Sequence, residues 1–210
     1  NPRWQFEYKN TELDVLREDL RTATFIVREE ENSFRFSHTS IQEYFLACHL
    51  FRTLKDNTPE RWSMPMASQE TLAFLLQLLE LDCSPACGNT LKSLLETDRQ
   101  HATLMAFRFY LLAVEAGLSL PQPAAIQLIN QNLEHWEIRG QPGKPLNLQR
   151  ANFSGSCLRH CRFAAVNLPQ ADFSRVDALR AEWQHCHLPQ SRFEQANLAG
   201  AAFRRSNVHQ

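Results

Sequence analysis

Leu148-Gln149-Arg150-Ala151-Asn152-Phe153-Ser154-Gly155-Ser156-Cys157-Leu158 opens a run in which a bulky apolar residue returns at every fifth position. The centres continue as Phe163, Leu168, Phe173, Ala178, Trp183, Leu188, Phe193, Leu198, Phe203 and Val208. Between Leu146 and Gln210 there are 16 large apolar residues, and 12 of them share this phase. Five steps along an α-helix rotate a side chain by about 140° off its starting face, and an odd step along a strand turns it to the opposite side. The period therefore fits neither element. The backbone has to turn a corner every five residues, as in a solenoid whose centres point to a common axis.

Two residues before each centre stand mostly small side chains: Ala151, Ser156, Cys161, Ala171, Ala181, Cys186, Ser191, Ala196, Ala201 and Ser206. With Ala151-Asn152-Phe153-Ser154-Gly155, Ala171-Asp172-Phe173-Ser174-Arg175 and Ala196-Asn197-Leu198-Ala199-Gly200, the run resembles the pentapeptide-repeat family, whose pattern is A(D/N)LXX. The resemblance implies a right-handed, four-sided β-helix with four pentapeptides per coil. Leu168-Pro169-Gln170 returning as Leu188-Pro189-Gln190 independently supports a 20-residue coil. Phe153, Phe173 and Phe193 would then stack in one ladder, and Leu148, Leu168, Leu188 and Val208 in another. Ala178 interrupts its ladder beside Trp183, a pairing of small with oversized that conserves core volume. The 13 repeats predict a stub about 15 Å tall, in need of capping at both ends.

The amino-terminal part carries a second signal. Leu13, Leu16 and Leu20 lie at helical spacing behind Thr11 as N-cap. Residues 24–30 and 34–38 alternate apolar with polar around Glu31-Asn32-Ser33, which predicts a hairpin. A helix over 39–54 follows, with Ile41, Phe45, Cys48 and Phe51 on one side and Phe45 packing inward. Helix, hairpin, helix is the back half of a winged helix. The string Phe34-Arg35-Phe36-Ser37-His38-Thr39-Ser40-Ile41-Gln42-Glu43-Tyr44-Phe45-Leu46-Ala47 resembles the segment that ends the winged-helix domain of NACHT-type signal-transduction ATPases, the STAND class that includes NOD-like receptors. In that family the matching histidine reaches the β-phosphate of bound ADP and helps hold the closed form. The resemblance carries that nucleotide-sensing role, within a longer parent, to His38. Gln42, Glu43, Tyr44 and Phe45 are expected to be structural, with Glu43 capping or pairing.

Residues 59–138 predict a helical connector. Ser68 is placed as N-cap of a helix over 69–81, Asn89 of one over 90–96, and Asp98 starts a long helix ending at Gly117. Pro123 suits the first position of a helix over 124–137. Leu72, Leu75, Leu76 and Leu79, and then Met105, Phe109 and Leu112, form core stripes. Arg139-Gly140-Gln141-Pro142-Gly143-Lys144-Pro145 is a breaker-rich linker into the repeats. The domain plan is thus a winged-helix part (1–58), the connector (59–138), the linker (139–145) and the β-helix (146–210), an α+β multidomain chain.

Composition excludes several functions. The chain has 210 residues, is 43% hydrophobic and has a net charge of −1, as a globular chain does. Its longest apolar stretch, 102–114, is interrupted by Arg108 and too short to span a bilayer. Residue 1 is Asn and no signal peptide is evident, so the chain is expected to be a cytoplasmic piece of something longer. The six cysteines, Cys48, Cys83, Cys87, Cys157, Cys161 and Cys186, follow no secreted disulfide pattern. Cys157, His160, Cys161 and then His185, Cys186, His187 invite a zinc reading, but 25 residues separate the two halves, so they sit on different sides of a 20-residue coil. Cys161 and Cys186 occupy small inward slots, and no metal site is assigned.

No phosphate loop, nucleophile elbow or H-E-x-x-H pair is present. No catalytic residue and no cofactor are therefore assigned to this chain, with ATP or ADP implied only for the parent. A pentapeptide DNA mimic, the alternative reading, needs an acidic surface. Residues 146–210 instead hold eight Arg, no Lys and four acids. A nucleic-acid binder needs a basic stripe, whereas these arginines scatter over all four sides, and Glu29, Glu30 and Glu31 on the wing repel phosphates. The expected role is a sensor and interaction fragment of a bacterial NACHT-like ATPase switch, with the family resemblance implying a signalling role in defence. Its partners would be a protein or small trigger and the upstream nucleotide-binding domain of the same parent chain. Self-association through the open carboxy-terminal coil, where Leu198, Phe203 and Val208 reach the rim, is the further expectation.

Overall fold

The computed structural model describes residues 26–30, 33–36, 38–82, 84–141 and 143–208. The helix expected over residues 11–20 lies outside them. The hairpin is present as β1 (Ile26–Glu30) and β2 (Ser33–Phe36), paired antiparallel with Ile26 opposite Phe36. Helix α1 (Thr39–Lys55) follows. Its buried stripe is Ala47, Leu50, Thr53 and Leu54, turned from the expected Ile41, Phe45, Cys48 and Phe51. Phe45 is 48% exposed rather than packed inward. The reason is that α2, α3 and Trp62 all meet α1 on the other face: Trp62 Nε1 donates to Thr53 Oγ1 at 2.7 Å, and Thr90 Oγ1 donates to the Leu54 carbonyl at 2.9 Å.

A 3-10 turn over Pro59–Trp62 leads to α2 (Gln69–Leu81). Ser68 caps α2 by accepting from Thr71 N–H at 3.1 Å, satisfying one of the orphan donors of the first turn. Helix α3 (Pro85–Glu96) starts earlier than expected, behind Ser84 and with Pro85 in the first turn. Asn89 is therefore inside the helix and not its cap, since proline's fixed φ seeds a helix start without losing a needed donor. Cys87 is buried in α3. Helix α4 spans His101–Glu115, starting three residues after Asp98, whose carboxylate accepts from Gln100 N–H at 3.3 Å in the preceding turn. Its end is at the expected glycine: Gly117 has φ +83 and Leu118 N–H returns to the Ala113 carbonyl at 3.0 Å. Among the described residues no helix is long and apolar enough to cross a membrane.

The expected helix over 124–137 does not exist. These residues form the first coil of the solenoid, with Leu128, Leu133 and Ile138 as buried centres. Gln127 bridges Asn152, Asn132 bridges Cys157, and β3 (Glu137–Arg139) pairs in parallel with β5 (Arg162–Ala164), each 25 residues apart. After that β4 (Leu146–Asn147) pairs with β6 (Val166–Asn167) at 20. The difference is a five-residue insertion. Of residues 139–145, expected as an interdomain linker, Arg139 belongs to β3, and the insertion follows it at a corner inside the solenoid, where Gln141 and Lys144 pair. Gly140 is needed there because a Cβ would strike the Ala165 carbonyl oxygen and the Leu146 nitrogen. From β5 the ladder runs on through β7 (Glu182–Gln184) to β8 (Ala202–Arg204), again at 20 residues.

The motif's chemistry is visible at the corners. The Asn or Asp before a centre accepts from the N–H two residues on, as in Asn152 to Ser154 at 3.0 Å and Asp172 to Ser174 at 2.8 Å, making an Asx turn. The residue that completes the corner is left-handed: Gln170, Arg175, Arg180 and His185 all have φ between 53 and 59. That conformation costs an L residue about 1 kcal/mol or more, which hydrogen bonds between coils offset, such as Gln170 N–H to the Pro189 carbonyl at 2.9 Å. In the small slots, Ser156, Ser191 and Ser206 donate to the carbonyls of Leu128, Leu168 and Trp183 on the preceding coil.

Inside, the four centres of a coil divide by chemistry. Phe153, Phe173 and Phe193 stack at 5.0 and 4.9 Å, and Phe163, Trp183 and Phe203 at 5.5 and 4.6 Å. The two stacks meet edge to face, Phe153 against Phe163 at 90° and Phe173 against Trp183 at 90°, the arrangement ring quadrupoles favour. Leu148, Leu168 and Leu188 form a third ladder, and Leu158, Ala178 and Leu198 the fourth. Trp183 is fully buried and its Nε1–H has no partner, so it acts as volume beside Ala178. Ala178→Leu is expected to destabilise the chain by about 1–3 kcal/mol through overpacking in urea denaturation. Trp183→Phe, which removes the orphan N–H, should recover part of that loss in the double variant; strict additivity would contradict the shared volume.

Candidate functional site

His38 stands between β2 and α1, exposed, at the N-cap position with extended φ −136 and ψ 139 and no side-chain capping bond. Sequence makes α1 begin here because Thr39-Ser40 suits a helix start and Phe36 closes the strand. Gln42 is exposed. Glu43 is engaged: its carboxylate accepts from the Ser68 hydroxyl at 3.0 Å, tying α1 to the cap of α2. Phe45 stacks on Phe36 at 5.9 Å, and Tyr44 meets Phe74 of α2 edge-on at 5.7 Å. Glu43, Tyr44 and Phe45 thus hold the hairpin, α1 and α2 together.

The repeat centres Leu148, Phe153, Leu158, Phe163, Leu168, Phe173, Trp183 and Leu188 are buried, whereas Phe193 and Leu198 are half-buried and Phe203 and Val208 exposed at the carboxy-terminal rim. At the other end the helices close the solenoid. Phe107 of α4 stacks on Trp136 at 6.2 Å and 3°, and Gln127 N–H donates to the Leu95 carbonyl at 2.8 Å. Arg139 reaches Glu115 at 2.6 Å, and Gln141 Nε2 donates to the Glu115 carbonyl at 3.1 Å. The second contact satisfies a helix-end acceptor.

Beside this seal lies a cleft of about 1120 Å³, which sequence reasoning missed. Its walls come from the segment before α2 (Met66, Ala67), from α4 (Arg108, Leu111, Leu112, Glu115) and from the first coil (His135, Trp136, Arg139). The Arg108 guanidinium lies 5.1 Å over the Trp136 ring. The available signal was Trp136 itself, an indole in a slot that is small in the later coils.

The cysteines separate by burial. Burial pushes the Cys161 thiol up to about 12, while Sγ donates to the Leu133 carbonyl, and it also raises Cys186. The thiolate is the reactive species, so near pH 8 these two stay protonated. Alkylation of the folded chain with iodoacetamide at pH 8, mapped by mass spectrometry, should modify half-exposed Cys48 and Cys157 and spare Cys161 and Cys186. Modification of Cys161 at the rate of Cys157 would contradict this burial.

Residues 147–178 and 180–210 match the family model described as pentapeptide repeats (8 copies). No curated protein matches the chain. Among solved structures, a pentapeptide repeat protein (Rfr23) from the cyanobacterium Cyanothece 51142 is similar over 41% of this chain and 82% of that one, at 16% identity and a TM-score of 0.22. By the family match, residues 147–178 and 180–210 of this chain form a pentapeptide-repeat domain.

Proposed function

We propose that the chain is the sensor and interaction portion of a NACHT-like signal-transduction ATPase. In this reading the hairpin and α1 end a winged helix, and the repeats wind as a right-handed, four-sided β-helix that recognises a protein or ligand. Nucleotide state is read through His38 in the parent. The observation that carries the proposal is the position of His38: exposed at the strand-to-helix junction, uncommitted to capping α1, and followed by a motif whose Glu43 ties that helix to α2. A histidine so placed can donate to a phosphate oxygen of a nucleotide bound upstream. No G-x-x-x-x-G-K-(S/T) phosphate loop is in this sequence, so in this reading the nucleotide is held by the rest of the parent. The DNA-mimic and nucleic-acid readings gain no support from the solenoid's surface, where Arg159 pairs with Asp177 at 2.6 Å and Arg162 with Glu182 at 3.5 Å.

In the full-length parent, His38→Ala should speed ADP release by about tenfold or more, the loss of one hydrogen bond to a charged group being worth about 1.5–3 kcal/mol, and should raise basal signalling. Unchanged nucleotide retention with unchanged basal activity would sink the assignment. The chain itself should show no micromolar affinity for ATP by calorimetry, since one side chain does not make a nucleotide site.

A further inference from the structure

The cleft between the helices and the first coil has chemistry that the repeat and the motif do not use. Its volume of about 1120 Å³ is just above the range of sites that take small molecules, about 300–1,000 Å³. Leu111 and Leu112 of α4 and the half-buried Trp136 supply apolar surface. Charge is segregated along it. At one end Arg139 is paired with Glu115 at 2.6 Å and approaches Glu137 at 3.9 Å, a set that occupies its own charges. Arg108 lies seven residues before Glu115 on α4, about 10 Å of helix rise away. Its guanidinium rests on the indole, with no carboxylate within salt-bridge distance among the described residues. A cation held over an aromatic face keeps its hydrogen-bond donors directed outward for a planar anion.

We propose that this cleft binds a small amphiphilic organic anion, an aromatic or medium-chain carboxylate or sulfonate. Its acid group would sit on Arg108 and its apolar body along Trp136, Leu111 and Leu112. Binding there is independent of His38 and of any nucleotide. The site joins the two halves of the molecule, because Met66 and Ala67 at its edge adjoin Ser68, the residue bonded to Glu43 of α1.

The test is titration of the purified chain with 2-naphthoate and 8-anilinonaphthalene-1-sulfonate, followed by calorimetry and probe fluorescence. One saturable site is expected. Arg108→Gln, on an exposed side chain, should weaken it at least tenfold without changing the thermal midpoint, and Trp136→Leu should weaken it similarly. Phe203→Ser, at the remote solenoid rim, should leave it unchanged. The neutral 2-naphthalenemethanol and the cationic 2-naphthylmethylamine should bind at least tenfold more weakly than 2-naphthoate. Absence of saturable binding would overturn the proposal, as would affinity indifferent to Arg108→Gln, equal binding of the amine, or loss with Phe203→Ser in place of Arg108→Gln.

Discussion

Parallel hydrogen bonding between successive coils is the constraint on which everything else in this molecule rests. A coil can pair with the next only if every fifth side chain turns inward and every corner reverses the backbone in the same way. The inward centres remove the apolar bulk from water at about 25 cal/mol per Å². The Asx turns and left-handed corner residues fix the geometry that lets Phe153 N–H meet the Asp172 carbonyl at 2.8 Å and Leu158 N–H meet the Asp177 carbonyl at the same distance. Such a stack is open at its ends, where apolar rings and unpaired backbone groups face outward. The helical part closes the amino-terminal end. Phe107 covers Trp136, and one continuous core runs from Ala47 through Phe109 to Ile138 and Leu188.

That closure explains the first coil's departures from the repeat pattern. An interior coil carries mostly small residues two before each centre, none bulkier than Val166 and Val176 in the coils between residues 151 and 206, because another coil lies directly against it. The end coil faces helices instead and carries Ile126 and Trp136 in those slots, with Gln131 in a third. The five-residue insertion after Gly140 is used in the same way: it takes the solenoid corner out to the end of α4, where Gln141 satisfies helix-terminal carbonyls. The helices and the solenoid therefore share a surface that neither would make alone, and the Arg108–Trp136 cleft lies along it.

The sequence displayed the repeats from 146 onward plainly, because small slot, Asn or Asp, and bulky centre recur together. The amino-terminal coil was hidden for physical reasons. Its slot residues are large, and the insertion shifts its pairing to 25 residues. Even so, Leu128, Leu133 and Ile138 continue the same phase of five, because an insertion of five residues preserves it, and that signal would have revealed the coil. Ser68 was legible as a cap because its side chain has one local task. The start of α3 is not legible in the same way, since Pro85 outcompetes Asn89, and the buried face of α1 is decided by tertiary contacts with Trp62 and Thr90. No periodicity announces the cleft, which exists only where helices and coil meet.

Helices and solenoid form one cooperative unit through the Phe107–Trp136 seal. Amide hydrogen exchange across a urea series tests it most directly, by comparing Leu94 and Leu95 in α3 and Met105 to Phe109 in α4 with Leu128, Phe153 and Phe173 in the coils. These amides are expected to converge on a single opening free energy, which Trp136→Ala lowers for helices and coils alike. Helix amides that open well below those of Phe153 and Phe173, with the coils indifferent to Trp136→Ala, would contradict it.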